Sequence, residues 1–254
     1  MSATHRTLLG VWAHPDDEAY LSAGLILEYT SRGDRVVIVT ATLGEHGTND
    51  PATWPPQRLA ACRHRELRRS LATLGVHEYR LLGFEDGTCH NEDGTEAIAR
   101  HIVDIQPDVI VTFGPDGMTG HLDHCAVSRW TTDAWMATES DAELWYSTVT
   151  PDFHQRWDDV NRLIGFWYDH AEPPSTPYDE LCHSIALTNY QLNAKVAALR
   201  AHRSQTAALE ALIGARAFRE WWSTETFRAA FLCVSAATGP FLSASVQLTG
   251  VQMR

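Results

Sequence analysis

The sequence predicts an α/β fold: a Rossmann-like, mainly parallel sheet flanked by helices, followed by a mostly helical C-terminal extension or cap. Short apolar runs recur along residues 1–150, and segments with helical spacing separate them. Connections of tens of residues between such runs are typical of right-handed βαβ units in a parallel sheet. This alternation stops after Pro151. We therefore expect one domain over residues 1–254, with its α/β core in residues 1–150 and the extension in residues 151–254.

Each element has a local signal in the sequence. The apolar runs predict strands, at residues 8–13, 36–41, 79–84, 108–113 and 144–149. Apolar residues three and four positions apart predict helices, at residues 19–30, 56–74, 97–105, 121–138 and 189–213. Pro15 suits the first turn of a helix, where no N–H donor is needed, and Gly75 and Gly214 suit helix ends. The helices before the extension therefore connect successive strands.

Composition and charge exclude several classes of protein. The chain has 254 residues, of which 44% are hydrophobic and 20% charged, as expected for a soluble globular protein with a sizeable core. A net charge of −12 argues against a general nucleic-acid or anionic-membrane surface. A polar N-terminus and the lack of an apolar run of about twenty residues predict no membrane span and a cytoplasmic location. The five cysteines are scattered without a C-x-x-C pair, so we expect neither a disulfide framework nor a cysteine-rich zinc site.

The first candidate site residues follow the first predicted strand. His14 ends the apolar run, and three consecutive acids, Asp16, Asp17 and Glu18, open the next helix. His14 and Asp17 are three positions apart, so both side chains can point into the crevice beyond the carboxyl end of the strand, where open α/β sheets bind ligands. The helix dipole alone also favours acids in a first turn. These residues indicate a functional site more strongly when they are considered together with a second cluster of histidines and acids.

That second cluster follows the fourth predicted strand, in the segment Gly-His-Leu-Asp-His at residues 120–124. His121 and His124 are about one helical turn apart, with Asp123 between them. If the first and fourth strands are neighbours, imidazoles and carboxylates from both clusters meet at one edge of the sheet. Three nitrogen and oxygen ligands with one open position are what a catalytic zinc ion requires. The surplus residues, Asp16 and His121, are then candidates for proton transfer.

The two clusters contain motifs of unusual specificity, Ala-His-Pro-Asp-Asp-Glu at residues 13–18 and His-Leu-Asp-His at residues 121–124. With weaker similarities at residues 42–47, 63–76 and 202–205, they resemble a known family, the zinc-dependent N-deacetylases of the PIG-L/LmbE type. The resemblance implies one zinc ion per chain, with Fe²⁺ as the alternative. The metal ligands that it implies are His14, Asp17 and His124.

The resemblance also implies catalytic roles for three further residues. Asp16 would be the general base that accepts a proton from the attacking water. His121 would be the electrostatic partner of the reaction or its general acid. Asp123 could fix the tautomer of the neighbouring imidazole.

Three residues are expected to contact the substrate. Arg63 and Asp86 match positions that hold sugar hydroxyls in the mycothiol-pathway branch of the family, and Glu45 lies in a polar loop after the second predicted strand. The implied reaction is removal of an N-acyl group, with acetyl as the expected acyl group, from an N-acetylglucosaminyl-type amino sugar or its conjugate. The implied partner is this small molecule. Assembly into a homo-oligomer stays open.

One position departs from the mycothiol-pathway pattern. That branch has a tyrosine two residues before the first histidine of the second motif, reaching toward the substrate carbonyl. Here the position is Thr119, whose side chain is too short to do the same. Stabilisation of the oxyanion would then fall to zinc, to His121, or to a tyrosine such as Tyr20 or Tyr190. The departure also weakens an assignment to the mycothiol substrate itself.

Four other functions compete with a sugar deacetylase. An amidase that cleaves a larger amide, such as a thiol-sugar conjugate, would use the same site. A nucleotide-binding protein would need G-x-G-x-x-G after the first strand, and the acids found there would repel a pyrophosphate. A glycosidase using Asp16 and Asp17 as its pair would leave the histidines idle. A metal-binding protein without catalysis would have no use for Asp16 and His121.

Overall fold

The structure, a computed structural model, describes residues 5–168 and 173–230 of the chain. Its described strands form one sheet in the order β3-β2-β1-β4-β5-β7-β6. Their bounds are β1 (Thr7–Trp12), β2 (Arg35–Thr40), β3 (Glu78–Leu81), β4 (Val109–Phe113), β5 (Glu143–Thr148), β6 (His183–Ala186) and β7 (Thr224–Ala229). Strands β1 to β5 pair in parallel, which confirms the predicted α/β fold with a mainly parallel sheet.

Helices connect these strands, and those in the five predicted segments lie close to the expected bounds. Three others, at residues 117–120, 151–164 and 215–221, were not predicted individually. The helix bounds are α1 (Asp17–Leu21), α2 (Ala23–Ser31), α3 (Pro56–Thr73), α4 (Thr95–Ile105), α5 (Gly117–Gly120), α6 (Leu122–Ala137), α7 (Pro151–Ile164), α8 (Asn189–Ala201), α9 (Arg203–Ile213) and α10 (Ala215–Trp221). Two predicted helices are each divided in two, because the backbones of Ser22 and His202 leave the helical conformation. Both breaks lie near the candidate site.

Strand β1 lies in the middle of the parallel part of the sheet. It pairs with β2 on one side and with β4 on the other, with Leu8 opposite both Val36 and Val109. Helices cover both faces of such a sheet, which is why β1 reads as a continuous apolar run. The pairing of β1 with β4 meets the condition on which the predicted site depends.

The C-terminal extension contributes strands as well as helices. Strand β7 pairs antiparallel with β5, and β6 pairs antiparallel with β7, so the extension widens the sheet of the core. The sequence analysis did not predict these two strands. Strand β7 reads Thr-Glu-Thr-Phe-Arg-Ala and contains too few apolar residues to resemble a buried strand, although Glu225 and Phe227 are both buried.

Glu225 is buried because it caps a helix of the core. Its two carboxylate oxygens accept hydrogen bonds from two backbone N–H groups in the first turn of α2, those of Gly24 at 2.8 Å and Leu25 at 3.0 Å. Lys195 of α8 balances the charge, with its Nζ 2.7 Å from Glu225 Oε1 and 2.6 Å from the carbonyl oxygen of Tyr20. Residues of the extension therefore stabilise the backbone on both sides of the break between α1 and α2.

None of the helices within residues 5–168 and 173–230 is long and apolar enough to cross a membrane. The cytoplasmic location, the division into core and extension, and the oligomeric state stay predictions. Cys233 and the rest of the predicted extension after residue 230 lie outside the described residues.

Candidate active site

The residues that the sequence predicts for a site meet at one edge of the sheet. Strands β1 and β4 are parallel neighbours, so their carboxyl ends lie together. His14 follows β1 almost directly, and α1 begins at Asp17. The turn α5 follows β4 and leads into α6, which carries Asp123 and His124. The two sequence clusters therefore face one crevice beyond the strand ends.

The structure brings the three predicted metal ligands together. Nδ1 of His14 lies 3.1 Å from Nε2 of His124. The Asp17 carboxylate lies beside both rings, with Oδ2 3.7 Å from His14 Nδ1 and Oδ1 3.5 Å from His124 Nε2. All three residues are buried. Two imidazole nitrogens and one carboxylate at these separations form a donor set that fits a single zinc ion.

Hydrogen bonds on the far side of each ring leave these two nitrogens facing each other. Nε2 of His14 lies 3.0 Å from Asp86 Oδ1 and 3.2 Å from Asp123 Oδ2. Nδ1 of His124 lies 3.0 Å from the carbonyl oxygen of Gly117. Carboxylates and carbonyls in this position orient metal-binding histidines and fix their tautomers.

The two rings have opposite protonation preferences. Burial disfavours a charged ring at His14, but the hydrogen bonds that the ring donates to Asp123 and Asp86 outweigh burial and raise the pKa of His14 to about 10. Burial and the charge on His14 lower the pKa of His124 to about 3. At neutral pH the pair therefore carries one proton more than two neutral rings, and this proton lies on His14. A metal ion held by His14 Nδ1 and His124 Nε2 would replace that extra proton.

Asp123 contacts two imidazole rings, that of the neighbouring His121 and that of the distant His14. Its carboxylate contacts His14 and also accepts hydrogen bonds from the backbone N–H groups of Gly87 at 2.7 Å and Cys89 at 3.1 Å. Its own backbone N–H donates to Nδ1 of His121 at 3.1 Å. Because that nitrogen accepts a hydrogen bond, the neutral ring of His121 carries its proton on Nε2. The catalytic role of Asp123 stays a prediction.

Asp86 and Glu45, two predicted substrate contacts, belong to one loop network. Asp86 Oδ2 accepts from the backbone N–H of His46 at 2.8 Å, in addition to the contact of its Oδ1 with His14. Glu45 Oε1 accepts from the backbone N–H of Asp86 at 3.0 Å. Asp86 lines the cleft, whereas Glu45 supports its loop. Contact of either residue with substrate stays a prediction.

His121 lies close enough to belong to a metal site as well. One nitrogen from each of His14, His121 and His124 lies within 4.8 Å of the other two, and so do single atoms of His14, Asp86 and Asp123. The ring of His121 is 4.8 Å from that of His14 and 4.9 Å from that of His124. Its assignment to proton transfer rather than to metal binding therefore stays a prediction.

Asp16, the predicted general base, lines the cleft beside the ligands. Its Oδ1 is 3.4 Å from Nη2 of Arg63. Burial raises the pKa of Asp16 to about 6, against the opposing charge of Arg63. A carboxyl group with this pKa is ionised at neutral pH and basic enough to accept a proton.

Arg63, the third predicted substrate contact, is almost fully buried. Its guanidinium donates to the carbonyl oxygens of Gly44 at 2.9 Å and Pro15 at 2.6 Å. Gly44 has a φ of +61°, and a Cβ at this position would overlap the guanidinium. The glycine of the 42–47 motif is therefore required by Arg63, which joins this loop to the turn that carries Asp16. Contact of Arg63 with substrate stays a prediction.

The cleft above these residues has a volume of about 850 Å³. Its floor is polar, and the loop at residues 46–50 forms one side. Aromatic side chains contribute to the remaining walls: Tyr20, Trp54, Phe166, Tyr168 and Trp222. Such a mixture of apolar walls and a few polar groups at the base is typical of a small-molecule site.

Residues 9–135 match the PIG-L family, GlcNAc-PI de-N-acetylase. The chain belongs to this family. A relative, the 1D-myo-inositol 2-acetamido-2-deoxy-α-D-glucopyranoside deacetylase of Saccharomonospora viridis, is 31% identical over 232 residues, covering 78% of this chain and 84% of the relative.

Two solved deacetylase structures share the fold. The N,N′-diacetylchitobiose deacetylase of Pyrococcus horikoshii aligns with a TM-score of 0.61 and 20% identity, covering 88% of this chain and 83% of that one. The A40926 pseudoaglycone deacetylase Dbv21 aligns with a TM-score of 0.64 and 18% identity, covering 89% and 97%. The predicted resemblance to the PIG-L family and the predicted enzyme class, an N-deacetylase, are confirmed.

In this member of the PIG-L family, a tyrosine of the extension lies beside Thr119. The backbone N–H of Tyr168 donates to the carbonyl oxygen of Thr119 at 3.0 Å. The Tyr168 ring meets His121 edge to face, with centroids 5.5 Å apart. Of the two tyrosines considered from the sequence, Tyr20 lines the cleft, whereas Tyr190 is 75% exposed outside it. Sequence spacing did not single out Tyr168, because it follows a helix with no motif of its own.

Proposed function

We propose that this PIG-L protein is a zinc-dependent hydrolase that removes the acetyl group from an N-acetylglucosaminyl conjugate. The observation that carries the proposal is the meeting of His14 Nδ1, His124 Nε2 and the Asp17 carboxylate beside the side chain of Asp16. These three residues would hold the metal ion. When bound, zinc lowers the pKa of a coordinated water and polarises an amide carbonyl.

The chain itself supplies the proton acceptor and one hydrogen-bond donor. Asp16 is ionised at neutral pH and accepts the proton of the attacking water. Burial, together with the neighbouring rings of His124 and His14, lowers the pKa of His121 to about 3. A neutral His121 then donates from Nε2 to the developing oxyanion, which favours its electrostatic role over that of a charged acid. Proton return to the departing amine falls to the protonated form of Asp16.

The substrate class follows from the relatives and from the size of the cleft. The Saccharomonospora viridis relative is named for 1D-myo-inositol 2-acetamido-2-deoxy-α-D-glucopyranoside, and the two structural neighbours are named for N,N′-diacetylchitobiose and for the A40926 pseudoaglycone. A cleft of about 850 Å³ accommodates an amino sugar together with an attached group. We keep that attached group open, since Thr119 departs from the pattern of the mycothiol-pathway branch.

The test combines metal analysis with an amine-release assay. Purified protein is expected to hold about one zinc ion per chain. Fe²⁺ in its place would show that the proposed metal is wrong. The substrates are N-acetylglucosaminyl-inositol, N,N′-diacetylchitobiose, an aryl N-acetylglucosaminide and an amide-linked thiol conjugate of glucosaminyl-inositol. Release of acetate from any of the first three supports the proposal. Cleavage of the thiol conjugate alone would identify the competing amidase, and no amine release by zinc-loaded protein from any of them contradicts the proposal.

A further inference from the structure

Glu18, the last acid of the Ala-His-Pro-Asp-Asp-Glu motif, does not reach the cleft. It is fully buried, and both of its carboxylate oxygens are already engaged. Oε2 accepts a hydrogen bond from the backbone N–H of Asp16 at 3.0 Å. Oε1 accepts from Ser70 Oγ at 3.1 Å and lies 3.0 Å from His202 Nε2. A buried carboxylate with these partners binds the protein, not a metal ion or a substrate.

The backbone that Glu18 contacts is in an unusual conformation. Asp16 has a φ of 117° and a ψ of −25°, a region that residues with side chains rarely occupy. Such a conformation persists only where the surrounding structure imposes it. The carbonyl oxygen of Asp16 accepts from the N–H groups of Ala19 and Tyr20, so the turn is also held from its other side. This conformation places the Asp16 side chain in the cleft while Asp17 points at the rings of His14 and His124.

His202 holds Glu18 from the C-terminal extension. It is fully buried at the break between α8 and α9, and within the described parts of the chain its Nδ1 has no hydrogen-bond partner. Nε2 therefore carries the proton that the ring donates to Glu18. The carbonyl oxygen of His202 accepts from the N–H groups of Gln205 at 2.9 Å and Thr206 at 3.0 Å, which fixes the turn.

We propose that His202 and Glu18 are positioning residues that hold Asp16 in its strained conformation. The chain of contacts runs from the α8–α9 turn through the His202 ring and the Glu18 carboxylate to the backbone N–H of Asp16. The interruption of the predicted 189–213 helix is what turns the imidazole of His202 toward the core. The functional consequence rests on the proposed role of Asp16 as general base, whereas the structural consequence, the backbone angle of Asp16, is independent of it.

The experiment compares two substitutions of His202 in the full zinc-loaded chain. His202→Gln keeps an N–H donor toward Glu18, and His202→Leu removes it. We expect His202→Leu to lower kcat about 10- to 100-fold, because a small displacement of a catalytic group has this effect, with KM and zinc content close to wild type. His202→Gln is expected to recover most of kcat. Arg200→Gln removes an ion pair with Glu210 on the exposed side of the same turn and is expected to leave kcat unchanged.

A crystal structure of His202→Leu supplies a readout that does not depend on turnover. We expect Asp16 to leave the region near φ 117° in this variant and to remain there in His202→Gln. An unchanged Asp16 backbone together with an unchanged kcat in His202→Leu overturns the proposal, and so does a loss of zinc that accounts for the whole loss of activity. If the wild-type protein releases no amine from any substrate, the proposed function fails while the backbone angle still decides the positioning role.

Glu18→Asp serves if His202→Leu does not fold. This substitution keeps the charge but shortens the side chain by one methylene, so the carboxylate no longer reaches the backbone N–H of Asp16. Lower kcat with unchanged zinc content and KM supports the proposal. Wild-type kcat in Glu18→Asp contradicts it.

Discussion

The core and the C-terminal extension contribute to the same cleft in different ways. The ends of β1 and β4 in the core supply the residues with proposed chemical roles, His14, Asp16, Asp17, His121 and His124. The extension supplies groups that hold or cover them: the Lys195–Glu225 pair behind the α1–α2 break, His202 behind Asp16, and Tyr168 over His121. Reactive residues lie in short sequence motifs, whereas their supports come from far along the chain.

The largest loss of turnover without loss of metal is expected for a substitution in the core, at Asp16. Asp16→Asn removes the proposed proton acceptor with little change in shape, so kcat should fall about 100- to 10,000-fold. Zinc content should stay at the wild-type value, because Asp16 is not a proposed ligand. The measurements are single-substrate kinetics and metal analysis of the same preparation. Activity within a few-fold of wild type would show that Asp16 is not the base.

The two histidines of the second motif are expected to differ in metal content. His124→Ala removes a proposed ligand and should lower zinc occupancy severely, and activity with it, whereas His121→Ala should retain zinc and lose turnover about 100- to 1,000-fold. Dialysis against a zinc buffer followed by metal analysis separates the two. Equal loss of zinc in both variants would place His121 among the ligands, as its distances to His14 and His124 permit.

The buried ion pair of the extension is expected to affect stability far more than catalysis. Lys195→Met leaves the buried carboxylate of Glu225 without its partner, which should lower the free energy of unfolding by about 3–5 kcal/mol. Lys195→Met combined with Glu225→Gln should recover part of this loss, because no unpaired charge remains. Urea unfolding measures both. A single variant as stable as wild type would show that the pair does not anchor the extension.

Tyr168→Phe tests whether the extension also takes part in the reaction. If the phenol donates to the oxyanion in place of the side chain that Thr119 lacks, kcat should fall about tenfold or more with KM little changed. Tyr20→Phe is the comparison, because Tyr20 also lines the cleft and was considered for this role from the sequence. A loss in Tyr20→Phe alone would assign the contact to Tyr20, and no loss in either variant would leave oxyanion stabilisation to zinc and His121.

The smallest expected effect is a pH-dependent difference in stability between wild type and His202→Gln, because glutamine keeps the hydrogen bond and removes only the charge. Burial opposes protonation of His202, but the charge of Glu18 outweighs it and raises the pKa of His202. The pKa of Glu18 is lowered, since the His202 charge outweighs burial. The ion pair of His202 and Glu18 therefore stabilises the fold fully at pH values above the unfolded-state pKa of glutamate and below the unfolded-state pKa of histidine. This stabilisation is lost as the pH rises through the folded-state pKa of His202. Urea unfolding of metal-free protein should show that the excess free energy of unfolding of wild type over His202→Gln is smaller at pH 9 than at pH 6. A larger excess at pH 9 would contradict a charged His202 in the folded protein.

The parallel α/β core and the candidate site residues both follow from local signals in the amino-acid sequence. Apolar runs that end in His14 and in Gly114 locate the strand ends, and strand ends are where open sheets place their sites. Two clusters of imidazoles and carboxylates then predict a metal site, because these are the groups that bind zinc and both clusters follow strand ends. Such signals are local, so they can be read without coordinates.

The groups that hold those residues in place are visible only in the folded chain. The sequence gives no sign that Glu18 turns away from the cleft, that Glu225 caps a helix 200 residues earlier, or that Tyr168 lies over His121. Strands β6 and β7 were missed for the same reason, because their burial comes from pairing with β5 rather than from their own apolar content. Contacts between distant segments depend on how the layers pack, and a single sequence records composition and spacing but not packing.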